Sequence, residues 1–167
     1  MKMKKILVMI VAVMAIVSCA TSEERAARQA ENLKMVKASV GGQQYRISIT
    51  SMTPMRGTSK TVMGRWLKID GNQIDCSLPY VGREDIPHAK TRGEVRMDSK
   101  IEYRGEVKDY LLQYQPKKKC GIITFKINYS GDDYQFRIIV DNSGTANIHL
   151  TPEDRDFIDY KGTVNEL

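Results

Sequence analysis

A chain of 167 residues with 41% hydrophobic and 28% charged residues is of ordinary size for one domain with a sizeable core. Past an N-terminal apolar run, no segment is apolar over the roughly 20 residues that a membrane-spanning helix needs. The net charge of +6 includes Lys2, Lys4 and Lys5 ahead of that run, so the rest of the chain carries about half of it and does not argue for nucleic acid. Acids and bases alternate along most of the sequence, as on a solvated surface. Lys117-Lys118-Lys119 is the dense exception and reads as a charged turn.

The first residues, Met-Lys-Met-Lys-Lys, precede the unbroken apolar stretch from Ile6 to Val17. A positive segment followed by an apolar run too short to span a bilayer is the pattern of a secretion signal, here assigned to residues 1–18. The window Ile16-Val17-Ser18-Cys19-Ala20 resembles the lipobox of bacterial lipoproteins. That resemblance implies cleavage before Cys19 and attachment of acyl chains, palmitate among them, to Cys19. Each buried methylene contributes about 0.8 kcal/mol, so a multiply acylated Cys19 holds a domain to a membrane without an apolar helix. Ala20 in place of Asp favours the outer membrane in sorting systems of this kind, with the domain facing the periplasm or the cell surface.

Next comes Thr21-Ser22-Glu23-Glu24, which resembles a capping box and opens a helical pattern reaching about Val36. Its apolar stripe, Ala26, Ala30 and Leu33, is narrow. Residues 19–40 are therefore expected to be a lipidated tether, either a helical spacer or a frayed one.

From Gln43 the hydrophobic period changes to two, with Tyr45, Ile47 and Ile49 alternating with polar neighbours. Val62–Ile69 and Gln73–Leu78 flank the turn Asp70-Gly71-Asn72, and Ile122–Tyr129 and Tyr134–Val140 flank Ser130-Gly131-Asp132-Asp133. Asp141-Asn142-Ser143-Gly144 leads into Ala146–Leu150. Less regular strand candidates lie at Glu94–Met97, Lys100–Tyr103 and Val107–Gln115. Thr151-Pro152-Glu153-Asp154 reads as a single capped helical turn before a last strand within Phe157–Val164. Eight or nine short strands with tight turns predict an all-β domain over residues 41–167, an antiparallel meander closing into a small barrel or a sandwich.

Pro79 to Arg92 is read as the one long loop of that domain, and long loops in compact domains carry function disproportionately. Pro79, Tyr80, Gly82 and Arg83 are its candidate binding residues. The run Leu78-Pro79-Tyr80-Val81-Gly82-Arg83, then Asn142-x-Gly144-x-Ala146 and Arg155-x-x-Ile158-x-Tyr160-x-Gly162, resembles the DUF4251 family of Bacteroidetes lipoproteins. The resemblance covers most of the chain after the signal. It implies a secreted, predominantly β domain and supplies no catalytic residues.

Chemistry is sparse. The imidazoles are His88, in the long loop, and His149, on an alternating strand, and neither has the sequence context of a nucleophile's base. Asp132-Asp133 and Glu153-Asp154 sit in turns, where Asp serves the backbone. Gly41-Gly42 lacks the helix and Lys of a phosphate loop. Cys76 and Cys120 lie in apolar strand-like stretches, where a disulfide and two buried free thiols are both open; neither has a second Cys or a His at zinc-binding spacing. Trp66 is expected in the core. No metal or cofactor is implied and no enzyme is expected. The leading expectation is an envelope-anchored module that binds a small apolar ligand or an envelope protein. A structural or assembly accessory without a small-molecule site is the alternative, ahead of a hydrolase.

Overall fold

The computed structural model describes residues 22–83, 95–153 and 155–167. The signal segment and Cys19, the stretch that holds His88, and Asp154 lie outside the described residues. Among the described residues one α-helix, α1 (Ser22–Gly41), precedes nine strands: β1 (Gln44–Pro54), β2 (Lys60–Asp70), β3 (Gln73–Arg83), β4 (Val95–Glu106), β5 (Lys108–Gln115), β6 (Cys120–Tyr129), β7 (Asp132–Asp141), β8 (Thr145–Pro152) and β9 (Ile158–Asn165). All pairings are antiparallel. The expected all-β architecture is therefore present, as one sheet in the order β4-β3-β2-β1-β9-β8-β7-β6-β5 that curls into a half-barrel.

Two meanders meet at the β1–β9 pair, which puts the first and last strands in the middle of the sheet. The two edges, β4 and β5, are consecutive in sequence and separated by Val107 alone, whose N–H donates to Asn72 O at 2.8 Å. That short link holds the edges near one another and forces the curl.

Alternation builds the core: Tyr45, Ile47 and Ile49 of β1 are buried, and so are Tyr134, Phe136, Ile138 and Val140 of β7. Between Ile49 and Ser51 the β1 register shifts against both neighbours, so the buried positions change parity to Met52 and Pro54. On the facing strand Gly64 takes a left-handed φ of 65°, as a bulge requires, and bulges bend a strand. Inside the curl, Tyr110, Phe125 and Phe136 stack with centroids 6.1 and 4.8 Å apart, and Tyr45 Oη lies 3.4 Å from Tyr110 Oη.

The turns follow their chemistry. Ser130 and Gly131 both have positive φ, 56° and 91°, as a two-residue hairpin of the right twist demands. Asp141 Oδ1 accepts the N–H groups of Ser143 and Thr145 at 2.8 and 3.0 Å.

Three expectations change. The helix runs beyond Val36 to Gly41, and its last turns pack: Val36 and Val40 join the core while Ala26 and Ala30 are exposed. Leu33, Val36 and Val40 recur at helical spacing, so the packing stripe lies nearer the domain than the small-residue one. Thr151 and Pro152 form no helical turn, because β8 continues through them and pairs them with Gln135 and Tyr134. Trp66 is not a core residue: Leu67 and Ile69 take the inward positions of β2, leaving Trp66 half-buried on the outer face with the Arg46 guanidinium 5.1 Å from its ring.

Candidate functional site

The residues first singled out fall on a strand rather than a loop. Pro79, Tyr80, Gly82 and Arg83 all belong to β3, whose ladder with β4 pairs Pro79 with Lys100, Tyr80 with Ser99, Gly82 with Arg96 and Arg83 with Val95. The β2–β3 ladder stops at Trp66–Ser77. Pro79 therefore sits where β3 has one ladder partner and a missing N–H is tolerated.

Tyr80 is 2% exposed, and its hydroxyl donates to Asp156 O. Tyr160 of β9, equally buried, donates to Pro79 O at 2.8 Å. Since β2 and β1 separate β3 from β9 in the sheet, these two bonds tie the sheet across its inner side. Gly82 lies under the Tyr80 ring, and a Cβ there would stand 2.7 Å from Tyr80 Cζ. The hexapeptide is thus a closure element, and its Tyr is not displayed to a ligand. The Arg83 side chain lies outside the described residues.

Cys76 and Cys120 are both buried and both free, so the candidate disulfide is not formed. They belong to β3 and β6, on opposite halves of the sheet. Burial pushes the Cys76 thiol up to about 12, which makes it a packing group and not a nucleophile. Burial likewise raises the phenols of Tyr45 and Tyr160 well above their ordinary value.

His149 is half-buried on β8, with Nδ1 2.6 Å from Asp159 Oδ1 on β9 and its ring against Phe157. Asp132 faces Arg155 at 3.4 Å, and Asp133 accepts from Asn128 at 2.8 Å, so both carboxylates serve turns and strand ends. Among the described residues no cluster of His, Cys, Asp or Glu could hold a metal ion.

The prominent apolar groove lies elsewhere, between the last turns of α1 and strands β5 to β7. Leu33, Val36 and Val40 form one wall, and Leu112, Tyr114 and Val140 the other, around about 330 Å³. Leu112 and Tyr114 are 36% and 43% exposed, and Leu111 on the opposite face of β5 is 50% exposed. Lys37 sits at one rim with Nζ 4.7 Å from the centre of the Tyr114 ring. A second depression continues from Leu33 past Lys118 and Lys119. Burying one such Leu is worth roughly 1.5–3 kcal/mol, so this surface favours an apolar occupant. Its sequence signal is the adjacent pair Leu111-Leu112. On any strand that pair leaves one apolar side chain facing outward, but nothing in the sequence places α1 opposite it.

A family model described as a domain of unknown function, DUF4251, matches residues 27–164. The crystal structure of a DUF4251 family protein from Bacteroides eggerthii is similar, with a TM-score of 0.61 at 14% sequence identity, covering 83% of this chain and 91% of that one. No curated protein matches.

Proposed function

The chain belongs to the DUF4251 family, and on that premise we propose that it is an envelope lipoprotein, anchored through Cys19, that binds an apolar segment of a partner protein in the groove between α1 and β5. The groove carries the reading: Leu112 and Tyr114 stand exposed beside Leu33, Val36 and Val40 on a strand that ends the sheet. An edge strand with open hydrogen-bonding groups and apolar side chains is a template for an added strand. Lys37, Lys118 and Lys119 along the rim favour acidic residues flanking the bound segment. The groove is open along one side and continues into a second depression, which suits a peptide better than a small enclosed apolar molecule. The anchor rests on Lys2 to Lys5, the apolar run and Ile16-Val17-Ser18-Cys19, and the outer membrane on Ala20.

The test is site-resolved photocrosslinking of the full chain in its own envelope. A photoreactive residue at position 112 or 114 is expected to give one discrete protein adduct, absent from position 63 on the far strand β2, where Met63 is 86% exposed. The adduct should disappear when Leu33→Glu is added. Equal labelling from all three positions, or labelling of lipid alone, would remove the partner reading. Metabolic labelling with a palmitate analogue, compared between the wild type and Cys19→Ser, checks the anchor separately.

A further inference from the structure

On the outer face of the sheet, the register aligns two neighbouring cross-strand rows. Arg137 of β7, His149 of β8, Asp159 of β9 and Thr53 of β1 are successive partners in one; Ile139, Asn147, Lys161 and Ser51 are successive partners in the next. Their chain neighbours Ile138, Ile148, Tyr160 and Met52 are core residues, so by the period of two both rows point outward. Neighbouring strands lie about 4.8 Å apart and same-face rows about 6.7 Å apart, which brings the long Arg137 and Lys161 side chains within reach of one small molecule. The rows floor an open groove of about 570 Å³ with Ser59, from the β1–β2 connection, on its rim. None of these residues lines the apolar groove.

The charges are unevenly committed. Asp159 is engaged by His149 Nδ1 at 2.6 Å, whereas among the described residues no carboxylate pairs with Arg137 or Lys161. The Nδ1 contact with Asp159 and the Phe157 ring at 4.9 Å hold the His149 imidazole in orientation. Two free cations attract an oxyanion. Hydroxyls at Ser51, Thr53 and Ser59 and the Asn147 amide both donate and accept, and the oriented imidazole adds a further hydrogen-bonding nitrogen, which matches a ligand rich in hydroxyl groups. A volume of this order suits a mono- or disaccharide.

We propose that this groove is a second binding site, for a sugar-sized polyol bearing an oxyanion, with Arg137 and Lys161 on the anion and His149, Thr53 and Ser51 on the hydroxyls. The occupant is an acidic sugar, and the anion is a carboxylate or a phosphate.

Calorimetric titration of the full chain in detergent with glucuronate, glucose 6-phosphate, glucose and inorganic phosphate tests it. At least one of the two acidic sugars is expected to bind saturably and more tightly than either glucose or inorganic phosphate. The tighter of the two names the anion. Arg137→Gln and Lys161→Gln should each weaken that binding about tenfold, equivalent to about 1.4 kcal/mol. Thr53→Val, which removes a hydroxyl and no charge, should weaken both acidic sugars alike. Absence of saturable heat from both acidic sugars would overturn the site. So would glucose binding as tightly as they do, inorganic phosphate matching them, or affinity unchanged in the two Gln variants. Because the two grooves share no lining residue, Leu33→Glu should leave the titration unaltered, so this site and the partner groove stand or fall separately.

Discussion

The Tyr80 corner and the β5 edge use aromatic and apolar residues for opposite ends. At the corner, Tyr80 and Tyr160 are both 2% exposed and both spend their hydroxyls on backbone carbonyls, one on Asp156 and one on Pro79. On β5, Leu111, Leu112 and Tyr114 remain between about a third and a half exposed, and the strand ends the sheet with an unpaired side. A polar group buried without a partner costs about 1–3 kcal/mol, so a buried Tyr whose hydroxyl is matched to a carbonyl is part of the frame. An apolar side chain left in water has no such obligation inside the fold. The unusual hexapeptide Leu78–Arg83 thus marks where the sheet is tied, and the plainer segment Lys108–Gln115 marks where it is open.

The largest effect should come from breaking the frame where backbones touch. Gly162 packs against Ser48 of β1, and a Cβ on it would overlap the Ser48 carbonyl and stand 2.8 Å from Ile47 Cγ2. Gly162→Ala is expected to lose about 3 kcal/mol or more, read as a lowered denaturant midpoint with unchanged slope. Gly82→Ala meets the Tyr80 ring instead and should lose about 1–3 kcal/mol. If Gly82→Ala proved harmless, the corner would be looser than the edge and the contrast would fail.

Alkaline titration probes the same frame with smaller steps. Cys76 is raised from 9.0 to about 12, and Tyr45 and Tyr160 are raised as well, all chiefly by burial. In each case the folded-state value lies above the unfolded one. For Cys76 the contribution is therefore complete below about pH 9 and is lost as the pH rises towards 12; for Tyr45 and Tyr160 it is complete below about pH 10 and is lost above it. The loss is at most about 1.4 kcal/mol per pH unit for each group. Thermal melts above pH 9 should fall steeply in the wild type, and less steeply in Cys76→Ala once its lower starting stability is subtracted. A parallel fall in the two would remove Cys76 from the account.

Much of this frame is legible in the sequence. Alternation at Tyr45-Ile47-Ile49 and the Ser130-Gly131 and Asp70-Gly71-Asn72 turns marks strands and hairpins because each is local. The β1–β9 pairing is not local, and neither is the reach of Tyr160 to Pro79, 81 residues away. Without them, Leu-Pro-Tyr-x-Gly-Arg looks like a loop, since Pro and Gly punctuate loops more often than strands. Trp66 misleads for a related reason: its size suggests burial, but strand parity puts Leu67 inside and Trp66 out. For the apolar groove, Leu111-Leu112 is visible in sequence, whereas its opposite wall depends on α1 running past Val36 to dock Val40.

Tyr80→Phe removes one hydroxyl and its bond to Asp156 O and leaves the ring over Gly82, so the expected loss is about 1–2 kcal/mol. The counterpart at the edge is Leu111→Lys, at a half-exposed position outside the groove lining. Surface changes of this kind move stability by no more than about 0.5 kcal/mol in either direction. An added charge on an edge strand also opposes unwanted pairing. If β5 is displayed for a partner, Leu111→Lys should melt like the wild type yet weaken the crosslink from position 112, because a strand added to β5 would bring its own side chains against both faces of the edge. A melt lowered as much as in Tyr80→Phe would mean that Leu111 belongs to the frame after all, and the division between a tied corner and an open edge would have to be redrawn at β5.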